Sequence, residues 1–296
     1  AAESVAWEGN NPRERLMMPE TTAINLRFPI VGAQWLAANI AAPNLVILDA
    51  SVGEFAGAST GIPGARRFDI DGEFSGPEGV HTMLSAEDFE AKVRALGISK
   101  DAAIVVYDRQ GMFSAARGWF MFVAMGHDNV AVLDGGLPAW EAAGFNQLPL
   151  NEGPFTPGSF VAEDRSLFVD ALTTKAFAER EDAAVIDARS AERFAGTAPE
   201  PRPGLRAGHI PGSVNLPFTS LLDEQGRFRA PEEVKAAVDA VAGDAETLIF
   251  SCGSGVTACI DALAAYVSGY TELAVYDGSW AEWGAEDPAG LRPVER

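Results

Sequence analysis

Cysteine is nearly absent from this chain. Of 296 residues only Cys252 and Cys259 are cysteines, so a disulfide framework is excluded as the source of its stability. Seven positions along one helix would separate the two by roughly 10 Å, too far for a bond. The sequence therefore predicts free thiols and a cytoplasmic setting. Lysine is almost as scarce, limited to Lys92, Lys100, Lys175 and Lys235, and the formal net charge is -20. That balance excludes nucleic acid and anionic membrane surfaces as expected partners, and an anionic substrate would need a local cluster of arginines. Histidine occurs three times, at scattered positions, which offers no metal-ligand cluster. There is no apolar run of about 18 residues to span a bilayer, and "AAESVAWEGNNPRERLMMPE" lacks a charged-then-apolar leader pattern.

What is present is a weak internal repeat with a period near 140 residues. "NLVILDAS" (44–51) returns as "AAVIDARS" (183–190), and "GIPGARRFDI" (61–70) returns as "HIPGSVNLPF" (209–218). "AIVVYDRQG" (103–111) answers "TLIFSCGSG" (247–255), and "AVLDGGLPAW" (131–140) answers "AVYDGSWAEW" (274–283). Each half alternates short apolar runs with helical periodicity, as at 86–96 and 231–241. This predicts an α/β unit with a mostly parallel sheet, made twice, with a cleft between the copies. The stretch 145–160, rich in Gly, Pro and polar residues, reads as the connection.

The halves differ where chemistry would sit. Asp108 stands where the second half has Cys252, and the second half carries about ten extra residues around "GTAPEPRPGL" (196–205). That added segment holds Arg202, with Arg193 just before it.

In "LIFSCGSGVTACI" (248–260) the cysteine ends a strand-like run and enters a glycine-containing turn before a helical stretch. Three functions compete for such a turn. Gly253, Gly255 and Ala258 fit a dinucleotide fingerprint, but only nineteen residues follow Asp277, too few to complete a nucleotide fold, and Cys252 would have no role. A phosphatase loop needs an arginine six positions after its cysteine, where this chain has Ala258. A thiolate nucleophile uses every feature: unpaired N–H groups at a helix start favour negative charge, and glycines let the backbone curl around the sulfur. Cys259, inside the apolar helix, reads as structural. Of the histidines, His127 in "MGHDNV" reads as an exposed turn residue and His209 in "GHIPG" as a structural one.

With "CGSGVTAC", "GHIPGSVNLPF" and "YDGSWAEW", the chain resembles the rhodanese-like sulfurtransferases over about residues 25–286. The resemblance implies two tandem rhodanese-like domains with the active-site cleft between them. Residues 1–24 would be an N-terminal extension, 25–146 a non-catalytic domain, 147–163 a linker and 164–296 the catalytic domain. It implies Cys252 as nucleophile, with a relay of Ser254, His81 and Asp71 across the cleft. It also implies Arg193 and Arg202 as holders of the donor's carboxylate and ketone oxygens, and Gly253, Gly255, Val256 and Thr257 as substrate-binding turn residues whose N–H groups hold the thiolate and persulfide charge. Arg189 would support the arginines from behind. Thiosulfate-using members have two basic residues after the cysteine, where this chain has Gly253 and Ser254. The expected donor is therefore 3-mercaptopyruvate and the expected acceptor a thiol such as thioredoxin, or cyanide, with no metal and no organic cofactor. Thiosulfate:cyanide sulfur transfer and a non-catalytic sulfur-carrier or regulatory module are the alternatives.

Overall fold

The alternating apolar runs and helical stretches fold into two parallel sheets, seen in a computed structural model that describes residues 22–296. The expected extension 1–24 lies almost wholly outside the described residues. The first half runs β1 (Ile30–Val31), α1 (Ala33–Asn39), β2 (Leu45–Asp49), β3 (Thr60–Gly61), β4 (Arg66–Arg67), α2 (Ala86–Ala95), β5 (Ala103–Tyr107), α3 (Ala115–Ala124), β6 (Val130–Leu133), α4 (Gly136–Ala142) and β7 (Leu148–Pro149). The second runs β8 (Phe168–Val169), α5 (Ala171–Ala178), β9 (Ala183–Asp187), α6 (Ala191–Phe194), β10 (Val214–Asn215), α7 (Pro231–Ala242), β11 (Thr247–Ser251), α8 (Ala258–Val267), β12 (Glu272–Tyr276) and α9 (Ser279–Trp283).

The sheet orders are β1-β6-β5-β2-β4 and β8-β12-β11-β9-β10, the same topology twice, with a small antiparallel β3–β7 pair besides. All pairings within the two five-stranded sheets are parallel. A parallel strand covered on both faces is apolar throughout, and "AIVVY" in β5 is buried at every position. Helix boundaries follow local signals. Ser85 caps α2 by accepting from the Asp88 N–H at 3.1 Å, and Pro231 opens α7 at the position where its missing N–H costs nothing.

The two halves share one interior. In α3, "AARGWFMFVA" is buried almost all round because it packs on α8 of the other half. Trp119 meets Tyr266 at 5.5 Å between ring centres, and Phe120 meets Phe168 edge-on at 5.1 Å. The segment expected to connect the halves straps onto the first. The Gly158, Glu163 and Arg165 N–H groups bond to the Arg94, Met125 and Ala124 carbonyls, and Phe160 is buried beside Phe89 and Phe122. His127 is corrected here. It lies at a turn but is buried, because Phe122 and Phe160 enclose its ring and Nε2 bonds to the Ala102 carbonyl at 3.0 Å.

Candidate active site

Side chains at the carboxyl ends of adjacent parallel strands converge on one crevice, and in the second half β9 and β11 end side by side at Asp187 and Ser251. Cys252 follows at once and forms part of the wall of an open cleft of about 660 Å³ between the halves. The cleft is also lined by Asp71, His81, Arg193, Arg202, Gly253, Ser254, Val256 and Thr257, so the structure brings nearly all of the expected site residues together. Gly255 sits just behind the lining.

The turn after Cys252 leaves its backbone donors free. α8 begins only at Ala258, so Cys252 lies outside the helix and the helical-rise spacing between the two cysteines does not apply. Both remain free thiols. Gly255 takes φ +76°, which reverses the chain; a Cβ there would lie 3.1 Å from Arg117 Nη1 and 3.0 Å from the Asp277 carbonyl oxygen. Among the described residues the N–H groups of Gly253 to Thr257 donate to no protein acceptor. The Cys252 N–H itself is tied to Ser279 Oγ at 3.1 Å, and its carbonyl accepts from the Trp280 N–H at 2.9 Å.

The first half shows what such a turn holds. There the Asp108 carboxylate turns into its own loop and accepts from the Phe113, Ser114 and Ala115 N–H groups at 2.8 to 2.9 Å and from the Gln110 N–H at 2.8 Å. The corresponding loop thus encloses a carboxylate in the first half and follows a thiol in the second.

His81 bridges the cleft. Its Nε2 lies 2.5 Å from Asp71 Oδ1 and its Nδ1 lies 3.0 Å from Ser254 Oγ. Next to a carboxylate Nε2 carries the proton, which leaves Nδ1 to accept from the Ser254 hydroxyl. The second Asp71 oxygen accepts from the Gly53 N–H at 2.6 Å. Burial, the largest influence, pushes the His81 imidazole below its ordinary 6.5; Asp71 pulls it back up, and Arg117 and Arg202 lower it further. The ring is therefore neutral at pH 7 and charges only as pH falls below 6.5. If the neutral ring is the working form, kcat/KM holds steady through neutrality and declines on an acid limb whose midpoint lies below 6.5. His81→Gln should lower the rate and abolish that limb in a pH profile; an unchanged limb would give the titration to another group.

Across from the relay lie the arginines. A Cβ on Gly253 would stand 3.2 Å from Arg193 Nη2 and 3.7 Å from Arg202 Nη1, so both guanidiniums overlie the turn. A larger residue at 253 would displace them. Arg193 bonds to Glu200 (Nη2 to Oε2, 2.6 Å; Nε to Oε1, 3.2 Å), and the same carboxylate takes Arg189 Nη1 at 2.9 Å. Arg189 is buried, also paired with Asp187 at 2.6 Å and seated 4.1 Å over the Trp280 ring, so it supports the site from behind. Arg202 makes no hydrogen bond or ion pair with any described residue.

Sequence reasoning missed three residues. Glu200 aims Arg193 and is 3% exposed at its side chain; its signal was a carboxylate two positions before Arg202 in "PEPR". Arg117 and Asp277 pair across the halves at 2.9 Å. The signal for Arg117 was a lone charge in the apolar run "AARGWFMFVA", which demands a buried partner. Cys259 is fully buried, its thiol donates to the Gly255 carbonyl at 3.3 Å, and burial pushes it up to about 12, so it stays protonated and inert.

A family model described as "Rhodanese-like domain" matches residues 32–143 and again 171–286. Over 276 residues the chain is 41% identical to the 3-mercaptopyruvate sulfurtransferase of Rattus norvegicus, spanning 86% of this chain and 91% of that protein. It is 38% identical over 309 residues to "Thiosulfate/3-mercaptopyruvate sulfurtransferase 1, mitochondrial" of Arabidopsis thaliana, spanning 93% of this chain and 81% of that one. Among solved structures, the crystal structure of the Escherichia coli 3-mercaptopyruvate sulfotransferase matches with a TM-score of 0.72 at 34% identity, spanning 86% of this chain and 99% of that chain.

Proposed function

The chain belongs to the rhodanese-like family, and from that membership together with its site we propose that it is a sulfurtransferase taking sulfur from 3-mercaptopyruvate through a persulfide on Cys252. The single observation that carries this reading is the convergence on one sulfur of a neutral anion cradle, a proton relay and the unpaired Arg202.

In the forward half-reaction the Cys252 thiolate attacks the donor sulfur. A sulfur–sulfur bond forms, the donor carbon–sulfur bond breaks, and its electron pair passes to carbon as the enolate of pyruvate. The proton that left the donor thiol returns to that carbon, with Ser254 and neutral His81 as its carriers and Asp71 holding the ring in the needed tautomer. The N–H groups of Gly253 to Thr257 stabilise negative charge on Cys252 and then on its persulfide. Arg202 and Arg193 hold the carboxylate and ketone oxygens, planar acceptors suited to guanidinium. An acceptor thiolate, such as that of thioredoxin, or cyanide, then takes the outer sulfur and restores Cys252.

Charge favours this donor over thiosulfate. Asp187 and Glu200 balance two of the three guanidiniums at that end of the cleft, which leaves Arg202 for one negative charge. The turn supplies no further cation, because Gly253 and Ser254 stand beside the nucleophile. Thiosulfate is nevertheless named for the Arabidopsis relative, so the two donors form the test. Steady-state kcat/KM should be higher for 3-mercaptopyruvate, with pyruvate released; a parent protein that prefers thiosulfate would overturn the donor.

We also infer a non-catalytic role for the half that carries Asp108 and a reducing compartment such as the cytoplasm, which suits free Cys252 and Cys259. Among the described residues no helix is long and apolar enough to cross a membrane.

A further inference from the structure

The relay is assembled from both halves, and one side chain bonds to both sides of the joint. Arg117 projects from α3 of the first half and is 1% exposed. Its Nη2 donates to the backbone carbonyl of His81 and pairs with Asp277 Oδ1 at 2.9 Å, while its Nη1 donates to the Gly255 carbonyl at 3.3 Å. The guanidinium also lies 4.2 Å over the Phe168 ring. Asp277, at the end of β12, uses its other oxygen to accept from the Met83 N–H at 2.7 Å, two residues beyond His81. The histidine loop is therefore gripped on both sides by one ion pair.

That grip has something to hold. His81 adopts φ +61°, a left-handed backbone that a non-glycine residue takes only at a cost in strain. In that conformation its ring reaches Ser254 in the other half while its carbonyl turns to Arg117. The Gly255 carbonyl, fixed by the same guanidinium, belongs to the turn that carries Ser254 and the anion cradle. A planar fork with five donors meets acceptors on three segments at once, which an ammonium cannot do.

We propose that Arg117, with Asp277, is the positioning residue of the reaction: it fixes the His81 loop against the Cys252 turn so that the relay forms across the cleft. This rests on the relay reading given above. Arg117 touches neither donor nor sulfur; it acts through His81 and Ser254. Donor binding by Arg193 and Arg202 does not depend on it, so its loss should fall on kcat and spare KM.

The test is a double-mutant cycle with full-length protein and 3-mercaptopyruvate, measuring kcat, KM and melting temperature for Arg117→Lys, His81→Gln and the pair. Arg117→Lys should lower kcat by roughly 10- to 100-fold, the scale of a misplaced proton-transfer group, with KM within about threefold. In the His81→Gln background the second change should remove little more. A loss that repeats in full in that background, or one that falls on KM, would make Arg117 a mere staple between the halves and overturn the inference. If Arg117→Lys proves unstable, Asp277→Asn, which keeps the guanidinium but loosens the grip, must give the same dependence on His81. If His81→Gln were as active as the parent, the relay reading itself would fail. An impaired His81→Gln with a fully active Arg117→Lys would fail only the positioning role.

Discussion

Cys252→Ser should abolish turnover with either donor, a loss on the order of 10³-fold or more, and leave the fold intact. The hydroxyl is nearly the same size as the thiol, and the surrounding bonds are made by the backbone: the 252 N–H to Ser279 Oγ and the 252 carbonyl to the Trp280 N–H persist in the variant. What disappears is the nucleophile. A serine hydroxyl does not ionise at neutral pH, and the imidazole of His81 is bonded to Ser254 and Asp71 rather than to residue 252. Activity with 3-mercaptopyruvate and the melting temperature of the purified variant check both halves of the statement. Persulfide formed at a normal rate on this variant would remove Cys252 from the mechanism and leave the cradle without a purpose.

Arg202→Ala should lower kcat/KM for 3-mercaptopyruvate by roughly 10- to 150-fold, equivalent to the about 1.5 to 3 kcal/mol of one charge-assisted hydrogen bond. The size of the effect follows from the partners. Arg193 is already committed to Glu200 at 2.6 Å, whereas Arg202 has no protein partner among the described residues, so its interaction with the donor is not shared. Most of the loss should be in KM, since the carboxylate is bound in the ground state as well as the transition state. Arg202→Lys should recover only part of it, because an ammonium does not match a carboxylate bidentately. A change within twofold for Arg202→Ala would mean that the carboxylate lies elsewhere.

How much of this was legible in the sequence depended on whether the signal was local. The strands and helices around "AIVVY", "TLIFS" and "PEEVKAAVDAVA" follow from period and capping, and the duplicated topology follows from matched motifs about 140 residues apart. The halves differ where Cys252 stands against Asp108 and where the second carries the segment that holds Arg202, and both differences are local in sequence. In the structure the Asp108 carboxylate fills its own loop, which no sequence pattern announces. What escaped was set by tertiary contact. The start of α8 at Ala258 rather than earlier is a consequence of the reversal at Gly255, and a periodicity argument counts through such a turn. His127 sits in polar sequence and is nevertheless buried, because Phe160, 33 positions on, closes over it together with the nearby Phe122. Arg117 and Asp277 are 160 positions apart, and no spacing rule joins them.

The proposed mechanism draws on both halves. The second carries Cys252, its turn and the arginines; the first carries Asp71, His81 and Arg117, so the groups of the proposed mechanism meet only where the halves join. A shared interior built from α3 and α8 keeps these groups in register.

The central claim is that sulfur passes through Cys252 as a covalent intermediate. Its most direct test is one measurement: mix the protein with excess 3-mercaptopyruvate and no acceptor, quench, and record the intact mass and the peptide map alongside the pyruvate released. The account predicts a gain of one sulfur atom, located on the peptide that carries Cys252 and absent from the one part of it that carries Cys259, with one pyruvate formed per site and the added sulfur removed by a thiol or cyanide. Pyruvate formed without any sulfur retained on the protein, or sulfur retained on Cys259 instead, would contradict it.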